Sequence, residues 1–268
     1  MRDKMSLKIL FIGDVVGELG RYGVKELVPG FRKEHKLDLV IANIENLAHG
    51  KGITPKTFAE IQNIGIDAFT SGNHIWRRRE GFRLLEDAKL QILRPANYPP
   101  GAPGRGFVIL NVRNKRVLLI NLIGRVFMKK DYDDPFRKFD EIISQTANID
   151  EVIVDFHAEA TSEKVAFAWY AAGRASLVVG THTHIPTADA EIISQHNLGY
   201  VTDVGMTAAK ESILGVKKED IIQSFLTQLP IGHKMLKKGK ILFNSILAEI
   251  NNLQTIYIKR IDQIIERG

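Results

Sequence analysis

A short apolar run that stops at a polar, ligand-type residue recurs along this chain, and that recurrence constrains the fold more than any other feature. The run 7–13 stops at Asp14, and 37–42 leads into Asn43-Ile44-Glu45-Asn46. The run 67–70 ends in Ser71-Gly72-Asn73-His74, 152–156 stops at His157, and 177–180 stops at Thr181-His182-Thr183-His184. Runs bounded in this way read as buried strands. Helices are predicted over about 21–34, from the Thr54 cap and Pro55 to near Gly65, over about 135–147, over 165–172 behind a Ser162 cap, and near 218–226. A βα repeat of this kind implies a parallel sheet with helices on both faces. Two antiparallel hairpins are added to it, 107–112 with 116–123, and 241–250 with 255–261 around Asn251-Asn252.

The 268 residues, 44% of them apolar, suffice for one full core, so a single domain over 1–268 is the expectation, with 1–6 as a flexible N-terminal extension. No run of about 18 apolar residues is present to span a membrane. Residues 1–6 lead straight into a strand, without the apolar stretch and cleavage site of a signal peptide. The expected setting is therefore cytoplasmic, with no membrane partner. The chain has no cysteine, which excludes disulfides, thiolate ligands and a cysteine nucleophile. Any metal must be bound by nitrogen and oxygen. The formal charge of +6 favours anionic partners, but the basic residues are spread out. Their densest clusters, Arg77-Arg78-Arg79 and Lys234, Lys237, Lys238 and Lys240, have no interleaved aromatics and read as solvated faces.

The chemistry lies at the strand ends. Gly13, Gly17 and Gly20 do not have the spacing of a dinucleotide fingerprint, and an aspartate in that turn would repel a pyrophosphate. Asp14 makes better sense as a metal ligand. Together with Glu45, Asn46, Asn73, His157, His182 and His184 it forms a set too large for one tetrahedral zinc, so two metals sharing a carboxylate fit better. The spacing of His182 and His184 suggests extended-strand alternation, with both imidazoles on one face and Thr183 pointing away.

These residues resemble the calcineurin-like metallophosphoesterases: Gly13-Asp14, Gly72-Asn73-His74, the isolated His157 and the run from Gly180 to His184. Closer still is the resemblance to the YmdB family of bacterial phosphodiesterases. It rests on Gly-Asp-Val-Val-Gly at 13–17, Asn-Ile-Glu-Asn at 43–46, His-Ala-Glu-Ala-Thr-Ser-Glu-Lys at 157–164, Thr-His-Thr-His-Ile-Pro-Thr-Ala-Asp at 181–189 and Thr-Asp-Val-Gly-Met at 202–206. The resemblance implies an α/β fold, a four-layer α/β/β/α sandwich with mixed sheets, and activity on 2′,3′-cyclic nucleotides or related small phosphodiesters. It also implies two metal ions, iron or manganese by family habit, although other divalent ions suit the same donors. Asp14, Glu45, Asn46 and His184 would hold one, and Glu45, Asn73, His157 and His182 the other.

Some positions depart from the wider pattern. Asp14-Val15-Val16 lacks the histidine of the usual Asp-x-His, Glu45-Asn46 replaces an aspartate, and Ala208-Ala209 and His196-Asn197 stand where Gly-Pro and Gly-Thr are usual. Within the implied mechanism His74 protonates the leaving oxygen, the alternative being that it only packs on Trp76. Arg125 either contacts substrate phosphate or forms a surface salt bridge. Asp203 orients a ligand histidine. The alternatives are a nuclease or phosphomonoesterase of the same chemistry, or a regulatory protein that binds a nucleotide or RNA with little turnover; a homo-oligomer is implied by the family alone.

Overall fold

The computed structural model of the chain describes residues 6–232 and 234–268. The expected extension at 1–6 lies outside the described residues except for Ser6, whose hydroxyl is held by Glu249. In chain order the elements begin with β1 (Leu7–Ile12), β2 (Asp14–Val15), α1 (Gly17–Glu34), β3 (Leu39–Asn43), α2 (Pro55–Ala59) and β4 (Ala68–Thr70). Next come α3 (Phe82–Glu86), β5 (Phe107–Val112), β6 (Lys115–Ile123), α4 (Pro135–Gln145), β7 (Glu151–His157), α5 (Thr161–Ala171) and β8 (Leu177–Thr181). The last part holds β9 (Glu191–Ile193), β10 (Leu198–Val201), β11 (Met206–Ala209), β12 (Ser212–Ile213), β13 (Val216–Lys217), α6 (Lys218–Thr227), β14 (Gly239–Phe243), β15 (Ser245–Asn251), β16 (Gln254–Arg260) and β17 (Gln263–Arg267).

Two large mixed sheets result, in the orders β16-β15-β1-β3-β4 and β5-β6-β7-β8-β10-β9, with a smaller sheet β17-β14-β11-β2. The strands that carry site residues are parallel within each large sheet, and the antiparallel pairings lie toward the edges. Side-chain alternation assigns the layers. Ile9, Phe11 and Ile41 of one sheet pack on Leu119, Ile153 and Val179 of the other. Their neighbours Leu10, Ile12 and Val40 face Val24, Val28 and Phe31, outward. On the opposite side Leu118, Ile120 and Val154 meet Phe139 of α4 and Phe167 of α5.

This is the four-layer α/β/β/α sandwich that the resemblance implies, and it corrects the expectation of one sheet with helices on both faces. Each large sheet has helices on its outer face and the other sheet on its inner one. A strand covered by a helix on one side and a sheet on the other is apolar throughout, as is one covered by two helices, so the run itself does not distinguish them.

Several boundaries also differ from expectation. Helix α1 starts at Gly17 rather than 21, and α2 is a short helix, capped as expected by Thr54 in a reciprocal bond with Thr57. Ser162 is not the cap of α5, because the helix begins at Thr161 behind Ala160, with no side-chain cap. The run 241–250 is two strands rather than one. At Asn244 the chain leaves the small sheet for a large one, and its carbonyl accepts from Gly13 N at 3.1 Å, where β1 makes the reverse crossing into β2. No helix among the described residues is long and apolar enough to cross a membrane.

Candidate metal centre

Parallel strands place their C-terminal ends along one edge. Here the ends of β1, β3 and β4 bring Asp14, Glu45, Asn46, Asn73 and His74 against His157, His182 and His184 from β7 and β8. Two cross-sheet bonds fix the approach of the layers. Asn43 at the end of β3 donates to Asp155 Oδ2 of β7 at 3.2 Å, and Ser71 N donates to Asn121 Oδ1 of β6 at 2.9 Å.

His157 is fully buried, and its tautomer follows from its partners. Thr181 donates its hydroxyl hydrogen to Asp155 Oδ1 at 2.7 Å, so its oxygen accepts from His157 Nδ1 at 2.9 Å. That leaves Nε2 facing Glu45 Oε1 at 3.3 Å, Asn73 Oδ1 at 3.1 Å and His182 Nδ1 at 3.1 Å. Four atoms rich in lone pairs therefore converge where one proton at most can sit. Glu45, His157 and His182 alone offer three ligand atoms all within 4.8 Å of one another. Burial opposes a charged His157, yet Glu45 and Asp14 outweigh it and push the ring up to about 9. The same carboxylate is held well below its usual range, because His157 and His74 outweigh its burial. A proton here occupies a place where the same donor set could hold a cation.

A second donor group adjoins the first. Asp14 is fully buried, its Oδ2 accepts from His182 N at 3.2 Å, and its Oδ1 has no hydrogen-bond partner among the described residues. An orphaned buried carboxylate oxygen is costly without a counter-charge, and burial pushes Asp14 well above its ordinary value. His184 Nε2 lies 3.9 Å from that oxygen. Its Nδ1 donates to the Leu214 carbonyl at 3.3 Å, which leaves Nε2 with the lone pair. The Asn46 amide stands between His184 Nε2, 3.1 Å from its nitrogen, and His74 Nδ1, 3.0 Å from its oxygen. A half-turn of the amide exchanges those two ends. Both donor groups fit a divalent cation by chemistry, since every atom offered is nitrogen or oxygen.

The two histidines after β8 converge by a route other than strand alternation. His182 has φ +99° and His184 φ +65°, both in the left-handed region, so the chain coils instead of extending. Thr183 does point away, into Asp203, whose Oδ2 accepts from Thr183 N at 3.1 Å and from its hydroxyl at 2.8 Å. The same oxygen accepts from Lys164 Nζ at 2.8 Å, and Oδ1 accepts from Gly205 N at 2.8 Å. Among the described residues Asp203 therefore makes no bond to a histidine ring. It holds the backbone between the two histidines, so any orienting of them runs through Thr183 rather than through a bond to a ring.

His74 faces the centre: its backbone N–H donates to Glu45 Oε2 at 2.8 Å, and its Nδ1 lies 3.2 Å from Glu45 Oε1. Trp76 packs on Tyr98 instead, with centroids 4.2 Å apart. The Arg125 guanidinium is half-exposed and paired with Asp134 at 2.9 Å, so of its two expected roles the structure shows the surface salt bridge. Of the basic clusters, Arg78 lines a cavity of about 480 Å³ together with Glu18, Glu60 and Glu80. Lys238 and Lys240 line one of about 360 Å³ with Glu211, Glu219 and Glu266. Both clefts mix acidic and basic side chains, the second also including Lys217 and Lys218.

Sequence reasoning missed Asn43, Asp155, Thr181, Glu159 and the Leu214 carbonyl. Asp155 carried a signal, because it stands two residues before His157 on the same face of β7.

Residues 10–264 match the family described as YmdB-like protein. The chain is 45% identical over 260 residues to the 2′,3′-cyclic-nucleotide 2′-phosphodiesterase of Bacillus subtilis (strain 168), covering 97% of each chain. The crystal structure of a hypothetical protein from Thermus thermophilus aligns with a TM-score of 0.91 at 40% identity, covering 97% of this chain and 100% of that one. That of a novel phosphatase from Mycoplasma pneumoniae aligns with a TM-score of 0.91 at 30% identity, covering 98% and 95%.

Proposed function

The chain belongs to the YmdB-like family, and from that premise we propose that it is a metal-dependent phosphodiesterase hydrolysing 2′,3′-cyclic nucleotides or related small phosphodiesters. The observation that carries the reading is the convergence of Glu45, Asn73, His157 and His182 beside the orphaned Asp14 oxygen, with His74 at the rim. The cyclic nucleotide as substrate class is supported by the Bacillus subtilis relative.

Glu45, Asn73, His157 and His182 would hold one cation, and Asp14, Glu45, Asn46 and His184 a second, with iron or manganese suited to these donors. When bound, such ions polarise the phosphoryl group and neutralise its charge. The chain's own residues supply the rest. Thr181, held by Asp155, keeps His157 Nε2 aimed into the centre. Glu45 Oε1, 3.2 Å from His74 Nδ1, favours Nδ1 as a donor, and Asn46 Oδ1 adds to this while the amide keeps the orientation in which Oδ1 faces His74. His74 Nε2 makes no hydrogen bond among the described residues. In the imidazolium form the ring can give up its Nε2 proton, and in a 2′,3′-cyclic substrate cleaved at the 2′ position the acceptor is the departing ribose 2′ oxygen. A cytoplasmic setting, which a chain without cysteine fits, belongs to the same proposal.

The test is metal analysis combined with hydrolysis of a phosphodiester panel including 2′,3′-cyclic AMP, by wild type and His74→Ala. We expect about two metals per chain and a turnover lower by on the order of 10²-fold or more in the variant. Full activity in metal-free protein overturns the reading, and an unimpaired variant removes the role given to His74.

A further inference from the structure

We propose that Phe127 is a specificity-determining residue on which the nucleobase of the substrate stacks, an inference that rests on the cyclic-nucleotide reading above.

Phe127 sits in a turn that leaves the end of β6, closed by Met128 N donating to the Arg125 carbonyl at 3.2 Å. It is the third residue of that turn and has φ +62°, at a position that ordinarily calls for glycine or asparagine. A bulky side chain there is an outlier, and strain of this kind collects at ligand-binding sites. The ring gains no burial from it. Phe127 is 84% exposed, the most of any large apolar side chain among the described residues.

The backbone that presents this ring is nevertheless fixed. Glu163 of α5, itself buried, accepts from Arg125 N at 2.9 Å and from Val126 N at 3.1 Å. Gly124 N donates to the His157 carbonyl at 3.0 Å, and the approach is so close that a Cβ at 124 would lie 2.6 Å from Ala158 Cβ. At the other end of the turn Met128 packs in the cluster of Tyr98, Ile123, Tyr132 and Trp76. The turn therefore runs from the backbone of His157 to the aromatic wall that begins two residues after His74.

That is the side of the centre where a base would lie. With the ribose 2′ oxygen at His74, C2′ is bonded directly to C1′, the carbon that carries the base, so the base projects on the His74 side. The other exposed apolar residues near the centre, Ile185 and Leu214, adjoin His184 instead. Every base has a π-face, so stacking on Phe127 distinguishes a base from no base rather than one base from another.

The experiment uses the full chain loaded with manganese. Isothermal calorimetry compares 3′-AMP, the product of cleavage at the 2′ position, with methyl riboside 3-phosphate, which keeps sugar and phosphate and lacks the base. Wild type should bind the nucleotide more tightly by on the order of 10-fold or more, the range for stacking one base on one aromatic ring. Phe127→Gly should remove most of that advantage while its urea midpoint does not fall, because glycine takes positive φ without strain. Phe127→Tyr keeps the ring and should keep the advantage. If Phe127→Gly retains the advantage, or loses it together with stability as a residue of the fold would, the proposal is overturned. If wild type hydrolyses no cyclic nucleotide, the substrate reading fails separately, and the binding ratios still decide whether Phe127 stacks on a base.

Discussion

Lys164 and Asp203 form an ion pair at 2.8 Å whose side chains are 1% and 0% exposed, and it is the most direct place to test how the loop carrying His182 and His184 is held. Removing one partner of a buried pair leaves an uncompensated charge and costs about 3–5 kcal/mol. The two single variants should not be equivalent. After Lys164→Met, Asp203 still accepts from Thr183 N, the Thr183 hydroxyl and Gly205 N, so the expected loss is about 3 kcal/mol, the lower end. Asp203→Ala strips Lys164 of its hydrogen-bond partner and leaves the Thr183 and Gly205 amides without theirs. At about 1–3 kcal/mol for each buried group left unpaired, the expected loss exceeds about 5 kcal/mol. The double variant should cost less than the sum of the two by on the order of 1–3 kcal/mol, because each single change already breaks the shared contact. Urea unfolding with chelator present measures all three. At a slope of about 3 kcal/mol per molar, the lysine variant moves the midpoint by about 1 M. Equal losses in the two single variants, or strict additivity in the double, would refute the reasoning.

Two further outcomes follow from contacts at the centre. A Cβ at residue 72 would lie 2.1 Å from His157 Nε2, so Gly72→Ala should displace the ring and lower bound metal while the far-UV circular dichroism stays native; a full metal complement would contradict this. Arg125→Ala removes a half-exposed ion pair worth about 0–1 kcal/mol and should leave KM and turnover unchanged, whereas a tenfold higher KM, about 1.4 kcal/mol, would return Arg125 to the substrate.

The convergence of Asp14, Glu45, Asn46, Asn73, His157, His182 and His184 was legible because these residues follow apolar runs, and parallel strands bring such positions to one edge whatever the rest of the chain does. The layer order was not, since Ile9 and Leu10 are equally apolar although one faces a sheet and the other a helix. Arg125 looked like a substrate contact for the same reason that Asp14 looked like a ligand: it ends a strand. The sequence does not reveal that Asp134, nine residues later, caps α4 through one oxygen and takes Arg125 with the other. Glu159 and Leu214 reach their histidines by the course of loops, for which apolar periodicity carries no signal. The left-handed turns at His182 and His184 were also hidden, because histidine, unlike glycine, does not advertise positive φ.

Those turns set a limit on engineering. Grafted alone onto the end of another strand, Thr-His-Thr-His would relax toward extended chain and display its imidazoles about 7 Å apart on a single face. In this protein one ring instead addresses His157 and the other addresses Asn46. The transplantable unit is therefore larger than the tetrapeptide. It must include a carboxylate placed as Asp203 is, to hold the middle threonine, and a buried lysine placed as Lys164 is, to pair with that carboxylate.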